Sequence, residues 1–259
     1  MKRIMFILVI LMVSFLFADS KKICCGLTEK QIKLLQKAHQ IAQKYKAVDG
    51  HTFEDTIVAV YLVESSAGKH MIGDRYHLTG ELKTLYESSL GPGQIKLSTA
   101  LLVINSFDYL KKKYKNLYHD NYYVYKKYVP IMKKITYYKK ILNSPVWKRR
   151  WRQGKKLNVK KWAEREYRYW SNKIKPHLIY IKKDDMIVDK LLYDEEFSIL
   201  ISTHYLILNY NEAIKRHYSN PWFCSISRYN GGWKNKTYYK RVVKKMKVVK
   251  KLKKSGYLK

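Results

Sequence analysis

Wherever this chain is patterned, its apolar residues recur at intervals of three and four, and no apolar–polar alternation competes with them. That period belongs to helices, whose side chains share a face at i, i+3 and i+4. Leu34, Leu35, Ala38, Ile41, Ala42 and Tyr45 form one such stripe. It follows Thr28-Glu29-Lys30-Gln31, in which Thr28 and Gln31 have the spacing of a capping box and Leu27 can staple onto Ile32. A second helix should begin near Thr52, place Asp55 at the positive end of its dipole and run through Glu64. Helices are also expected over 98–110 and from about 194 to 210. The fold class is therefore mainly α.

Glu64 closes the apolar run Ile57-Val58-Ala59-Val60-Tyr61-Leu62-Val63. A carboxylate against apolar surface costs several kcal/mol unless it is paired, and burial raises its pKa. A glutamate kept protonated near neutrality can act as a general acid.

The chain is very basic, with 53 Lys and Arg against 20 Asp and Glu and a formal net charge of +33. Such a charge bears on solubility and on attraction to polyanions rather than on fold. Abundant Lys, Tyr and Ile also match the bias of an AT-rich genome. Basic and aromatic residues crowd 111–190, including Trp147-Lys-Arg-Arg-Trp151 and the stretch from Trp162 to Trp170. This region reads as a helical insert that splits one helical domain into 26–110 and 191–243. Its aromatic residues can pack the insert, stack on sugars or stack on nucleic acid, the last being the least favoured. Val242, Val243, Met246, Val249 and Leu252 are spaced among lysines towards a basic tail, 244–259. Such a helix either docks on the core with its lysines in solvent or binds an anionic membrane or wall polymer.

Met1-Lys2-Arg3, followed by Ile4 to Ala18 without a charge, reads as a secretory signal, 1–18. The run is short for a membrane span, and if retained it would be an anchor. Cys24-Cys25 and Cys224 lack metal-ligand spacing. In an exported protein, Cys224 can pair with either Cys24 or Cys25, leaving one thiol over. Lys21-Lys22-Ile23 argues against lipidation of Cys24. His51, His70, His77 and His119 are scattered without HExxH spacing, so no metal or cofactor is assigned.

Three elements gain meaning together: Glu64-Ser65 late in a helix, Ser89-Leu90-Gly91-Pro92-Gly93-Gln94, and Tyr229-Asn230-Gly231-Gly232. Glycines admit close approach to a ligand, while Gln and Asn offer paired donors and acceptors suited to sugar hydroxyl and acetamido groups. In this order and spacing the motifs resemble the catalytic domain of soluble-type lytic transglycosylases, glycoside hydrolase family 23, which has a lysozyme-like helical fold. The likeness spans roughly 28–110 and 191–243.

The resemblance implies that Glu64 is the catalytic acid/base, with Ser65, Ser89, Gly91, Gln94, Tyr229 and Asn230 binding substrate. The loop departs from the family in reading Gly-Pro-Gly-Gln where an apolar residue and methionine commonly precede the glutamine. The interval from Glu64 to Gln94 is also long, leaving room for a loop with Asp74, Arg75, His77 and Glu81. The implied substrate is peptidoglycan, cut with closure of a 1,6-anhydro ring rather than by water, in the periplasm or beside an envelope-spanning secretion machine. Two alternatives stay open: a hydrolase in which Asp74 or Glu81 positions water, and a cationic wall-binding protein without turnover.

Overall fold

The structure is a computed structural model describing residues 22–144 and 157–259. The expected signal 1–18 and the Trp147–Trp151 run lie outside the described residues. The described chain is mainly helical. In chain order the helices are α1 (Glu29–Ala42), α2 (Glu54–Glu64), α3 (Leu97–Ser106), α4 (Asp108–Lys113), α5 (Tyr125–Asn143), α6 (Leu157–Lys173), α7 (Leu178–Tyr193), α8 (Glu195–Lys215), α9 (Pro221–Tyr229) and α10 (Lys236–Lys254). Two short antiparallel pairs join them, β1 (Lys22–Cys24) with β2 (Leu27–Thr28) and β3 (Ile72–Gly73) with β4 (Ser89–Leu90).

The capping box forms at the start of α1. Thr28 Oγ1 accepts from the Gln31 N–H at 3.4 Å, and Gln31 Oε1 accepts from the Thr28 N–H at 2.9 Å. Gln31 also donates to the Ser66 carbonyl at 2.7 Å, which ties the start of α1 to the turn after Glu64.

Thr56 through Leu62 of α2 are all buried, and a helix that is apolar all round must be enclosed by others. α1 and α10 pack against it. Asp55, in its first turn, lies 3.1 Å from His39 Nε2 of α1 and 2.8 Å from Lys253 Nζ of α10. α9 is held to the same helix by the Trp222 indole N–H, which donates to Thr56 Oγ1 at 3.0 Å. α8 begins at Asp194, whose side chain caps the Phe197 N–H at 3.0 Å, and packs on α1, α3, α7 and α9.

Several expectations change. The helix expected over 98–110 breaks at Phe107, which is extended at φ −129°, ψ 115°. The break brings Phe107 and Tyr109 against the buried His204 of α8, with Phe107 and His204 ring centres 4.8 Å apart and the Tyr109 hydroxyl bonded to Nε2. The insert is not separate at its ends. Tyr114, Leu117, Val124 and Tyr128 after residue 111, and Ile187 and Val188 before residue 190, belong to the main core.

Within the insert, α5 and α6 pack on each other, with Tyr138 and Trp162 edge to face at 5.3 Å. Nor does a tail start at 244. α10 runs unbroken through that position, and Val249 and Leu252 are fully buried. Cys24, Cys25 and Cys224 are free thiols, so neither bridge between chain start and α9 is formed.

If α10 is a core helix, Leu252→Ala leaves a cavity and lowers stability by about 2–5 kcal/mol in urea unfolding. Val243→Ala, at a position 37% exposed, should stay within about 0.5 kcal/mol of the parent. Equal, negligible effects from both would mean that the helix is not docked.

Candidate active site

Glu64 is the last residue of α2, and the chain turns sharply after it. Ser66, Ala67 and Gly68 take positive φ in succession, at 52°, 57° and 80°. Ser65 makes the turn possible: its hydroxyl donates to the Tyr61 carbonyl at 3.3 Å and accepts from the Gly68 N–H at 2.8 Å. Fully buried in this role, Ser65 does not line the cleft, contrary to its expected place at the substrate.

The loop Gly91-Pro92-Gly93-Gln94 is closed by paired backbone bonds between Leu90 and Ile95, at 3.0 and 2.9 Å. Gly91, at φ 71°, lies against the Leu191 carbonyl and Ser198, and a Cβ there would overlap both. Like Ser65 it shapes the loop from behind and does not line the cleft. A Cβ on Gly93 would overlap Ser202 Oγ and the Tyr229 hydroxyl. The two glycines let the loop seat directly on α7, α8 and α9.

Gln94, at φ 51°, spends its amide N–H groups on the backbone, donating to the His70 and Gly91 carbonyls at 3.0 and 2.9 Å. Its carbonyl oxygen packs over Gly73. As a ligand contact, Gln94 is thus an acceptor rather than the paired donor and acceptor expected.

A cleft of about 540 Å³ gathers the rest. Glu64, Ser89, Gln94, Tyr229 and Asn230, drawn from three distant parts of the chain, all line it. Asp74, Lys96, Thr99, Tyr205 and Arg228 line it too. Asp74 reaches the wall through the β3–β4 pair, accepting from Ser89 Oγ at 3.1 Å and lying 3.7 Å from Lys96 Nζ. Glu81, the other carboxylate considered as a partner, does not line the cleft.

A larger depression, about 790 Å³, runs along α1. Its carboxylates Glu29 and Glu195 are tied to Lys33 and Lys37 at 2.6 and 3.3 Å, so both carboxylates of that wall are paired. Among the described residues, no three His, Cys, Asp or Glu side chains gather as a metal-ligand set.

Burial pushes the Glu64 carboxyl above the usual glutamate range. The Tyr238 hydroxyl, the Asn230 amide and the Arg241 charge partly offset that push, whereas the Asp74 charge adds to it. Asn230 Nδ2 donates to Glu64 Oε1 at 3.1 Å. In the neutral acid such a donor suits the carbonyl oxygen, which would leave Oε2 to carry the proton.

Tyr238 escaped sequence reasoning, although its place in the first turn of α10, after the capping Asn235, was a usable sign. Its buried hydroxyl lies beside Glu64 and draws that carboxyl's pKa down, although it meets full hydrogen-bond distance and angle with no group among the described residues. Its ring stacks parallel to that of Tyr229, with centres 6.5 Å apart. The Tyr229 hydroxyl donates its one proton to the Gly93 carbonyl at 2.8 Å and cannot give it to Glu64 at the same time. Both hydroxyls are held well above the usual tyrosine range by burial, with Glu64 adding to the shift, and so stay neutral.

No protein-family model, curated protein or solved structure matches the chain.

These electrostatics fix the sign of a pH effect. A carboxyl raised by folding binds its proton more tightly in the folded than in the unfolded state, so its contribution to stability is complete below the unfolded pKa and is lost as pH rises through the folded one. The stability of the parent minus that of Glu64→Gln should therefore be flat at acid pH and fall as pH climbs from the ordinary glutamate range through the raised value. A difference that grew with pH would contradict the assigned direction. In a carboxyl NMR titration, Asn230→Ala should raise the Glu64 pKa and Asp74→Asn should lower it.

Proposed function

We propose that this cleft cleaves the β-1,4 bond between N-acetylmuramic acid and N-acetylglucosamine in peptidoglycan, in the manner of a lytic transglycosylase on a lysozyme-like helical domain. The observation that carries the reading is the meeting of Glu64, Ser89, Gln94, Tyr229 and Asn230 in one cleft. Their separation in sequence gives no local reason for them to meet.

Glu64, whose hold on its proton burial strengthens, donates from Oε2 to the glycosidic oxygen as the bond to the muramyl C1 breaks. The muramyl acetamido group shares the positive charge that develops at C1, which removes the need for a carboxylate nucleophile. Glu64, now a carboxylate, takes the proton of the muramyl C6 hydroxyl as that oxygen closes on C1. The charge left on Glu64 between the two steps is stabilised by the Asn230 N–H and by Arg241. Ser89, Gln94 and Tyr205 offer the sugar a polar wall.

One feature favours a second reading. Asp74 lines the same cleft and is close enough to act on the Glu64 charge, so it can position water for hydrolysis. Digestion of purified sacculi, with products weighed by mass spectrometry, separates the two. Anhydromuramyl ends are expected from the parent protein, with Glu64→Gln reducing their release about 10²–10⁴-fold and Asp74→Asn leaving anhydro products. Reducing ends that vanish in Asp74→Asn would establish the hydrolase. Binding without any product from the parent would overturn both.

A further inference from the structure

α10 divides its two sides sharply. Tyr238, Val242, Val249 and Leu252 are buried in the core. Lys236, Lys240, Lys244, Lys247, Lys251 and Lys254, spaced by four, four, three, four and three residues, stand in one row on the opposite side. At 1.5 Å per residue the row is about 27 Å long. All six lysines are exposed, and the helix contains no Asp or Glu. Lys253, which pairs with Asp55, lies off the row.

The row ends where the chain enters the fold. Cys24 Sγ lies 4.0 Å from Ser255 Oγ, one residue past α10, and the charge of Lys251 reaches the Cys25 thiol. Lys22 and Ile23 of the entering arm are exposed. Upstream in sequence, only Asp19, Ser20 and Lys21 separate Lys22 from the uncharged apolar run that ends at Ala18. That connection spans no more than roughly 14 Å.

We propose that the lysine row of α10 docks the protein on an anionic phospholipid surface, with the entering arm at the membrane-proximal end. A straight row lets its lysines meet a flat sheet of headgroups together, and each basic residue within a Debye length of such a surface adds to the attraction. Contact is electrostatic and shallow, because Val242, Val249 and Leu252 are committed to the core and the large apolar residue that α10 leaves exposed is the single Val243. A soluble wall polymer would satisfy the charges equally, but the apolar run, if retained as an anchor, would hold the row at a membrane rather than in the wall. Docking rests on the lysines alone and is independent of the chemistry proposed for the cleft.

The test uses the full chain on vesicles of phosphatidylcholine with or without phosphatidylglycerol, pulsed with an amine-acylating reagent and read residue by residue by mass spectrometry. Lys244, Lys247, Lys251 and Lys254 should label several-fold more slowly on the anionic vesicles, with the difference erased by high salt, while Lys139 and Lys140 of α5 keep their rate. The triple variant Lys247→Glu, Lys251→Glu, Lys254→Glu should keep its helical circular dichroism and lose the preference for anionic vesicles in flotation. Equal labelling on both vesicle types would overturn the proposal. So would uniform protection of every exposed lysine, or protection given by a soluble polyol-phosphate polymer but not by vesicles.

Discussion

The enclosure of α2 is the constraint on which the rest depends. Seven consecutive residues, Thr56 to Leu62, are buried, so neighbouring helices must cover every side of this short helix. The same enclosure brings a carboxylate at its last residue to the edge of the core. The apolar surroundings that hold α2 therefore also push the Glu64 carboxyl above the usual glutamate range. Its near surroundings come from helices far along the chain, with Asn230 at the end of α9 and Tyr238 and Arg241 on α10. Loss of α10 would therefore expose Glu64 and remove groups that tune it.

The opposite wall is built by backbone contact. Gly91 and Gly93 have no room for a side chain against α7, α8 and Tyr229, so the loop is seated directly on them. Gln94 then closes the loop with its own amide, and Ser89 holds Asp74 from the adjoining strand. Most polar groups here are used to set the geometry before any ligand arrives. Such preorganisation suits a site that stabilises charge in passing rather than one that folds around its ligand.

Local signals carried much of the fold. Thr28 with Gln31, the apolar run before Glu64 and the start near Asp194 each depend on a few neighbouring residues, and each was legible in the sequence. What escaped depends on distant contacts. The break at Phe107 follows from packing on His204, ninety-odd positions away, where local pattern favours a continuous helix. Basic and aromatic composition marks 111–190 as an insert but does not say which of its residues face the core, so residues such as Tyr128 and Ile187 were set apart from it.

The site was legible as three motifs, while the duties of their members were not. Ser65 and Gly91 build turns, Gln94 spends its donors on the backbone, and Tyr238 carried no motif to announce it.

The most direct measurement is a crystal structure of Glu64→Gln soaked with a muramyl-containing tetrasaccharide. One glycosidic oxygen should lie about 3 Å from the side chain at position 64, with the sugars on either side flanked by Ser89 and Gln94 on one wall and Asn230 on the other. Saccharide bound only along α1 or on α5 and α6, with the cleft empty at saturating concentration, would contradict the assignment of Glu64 as the acid.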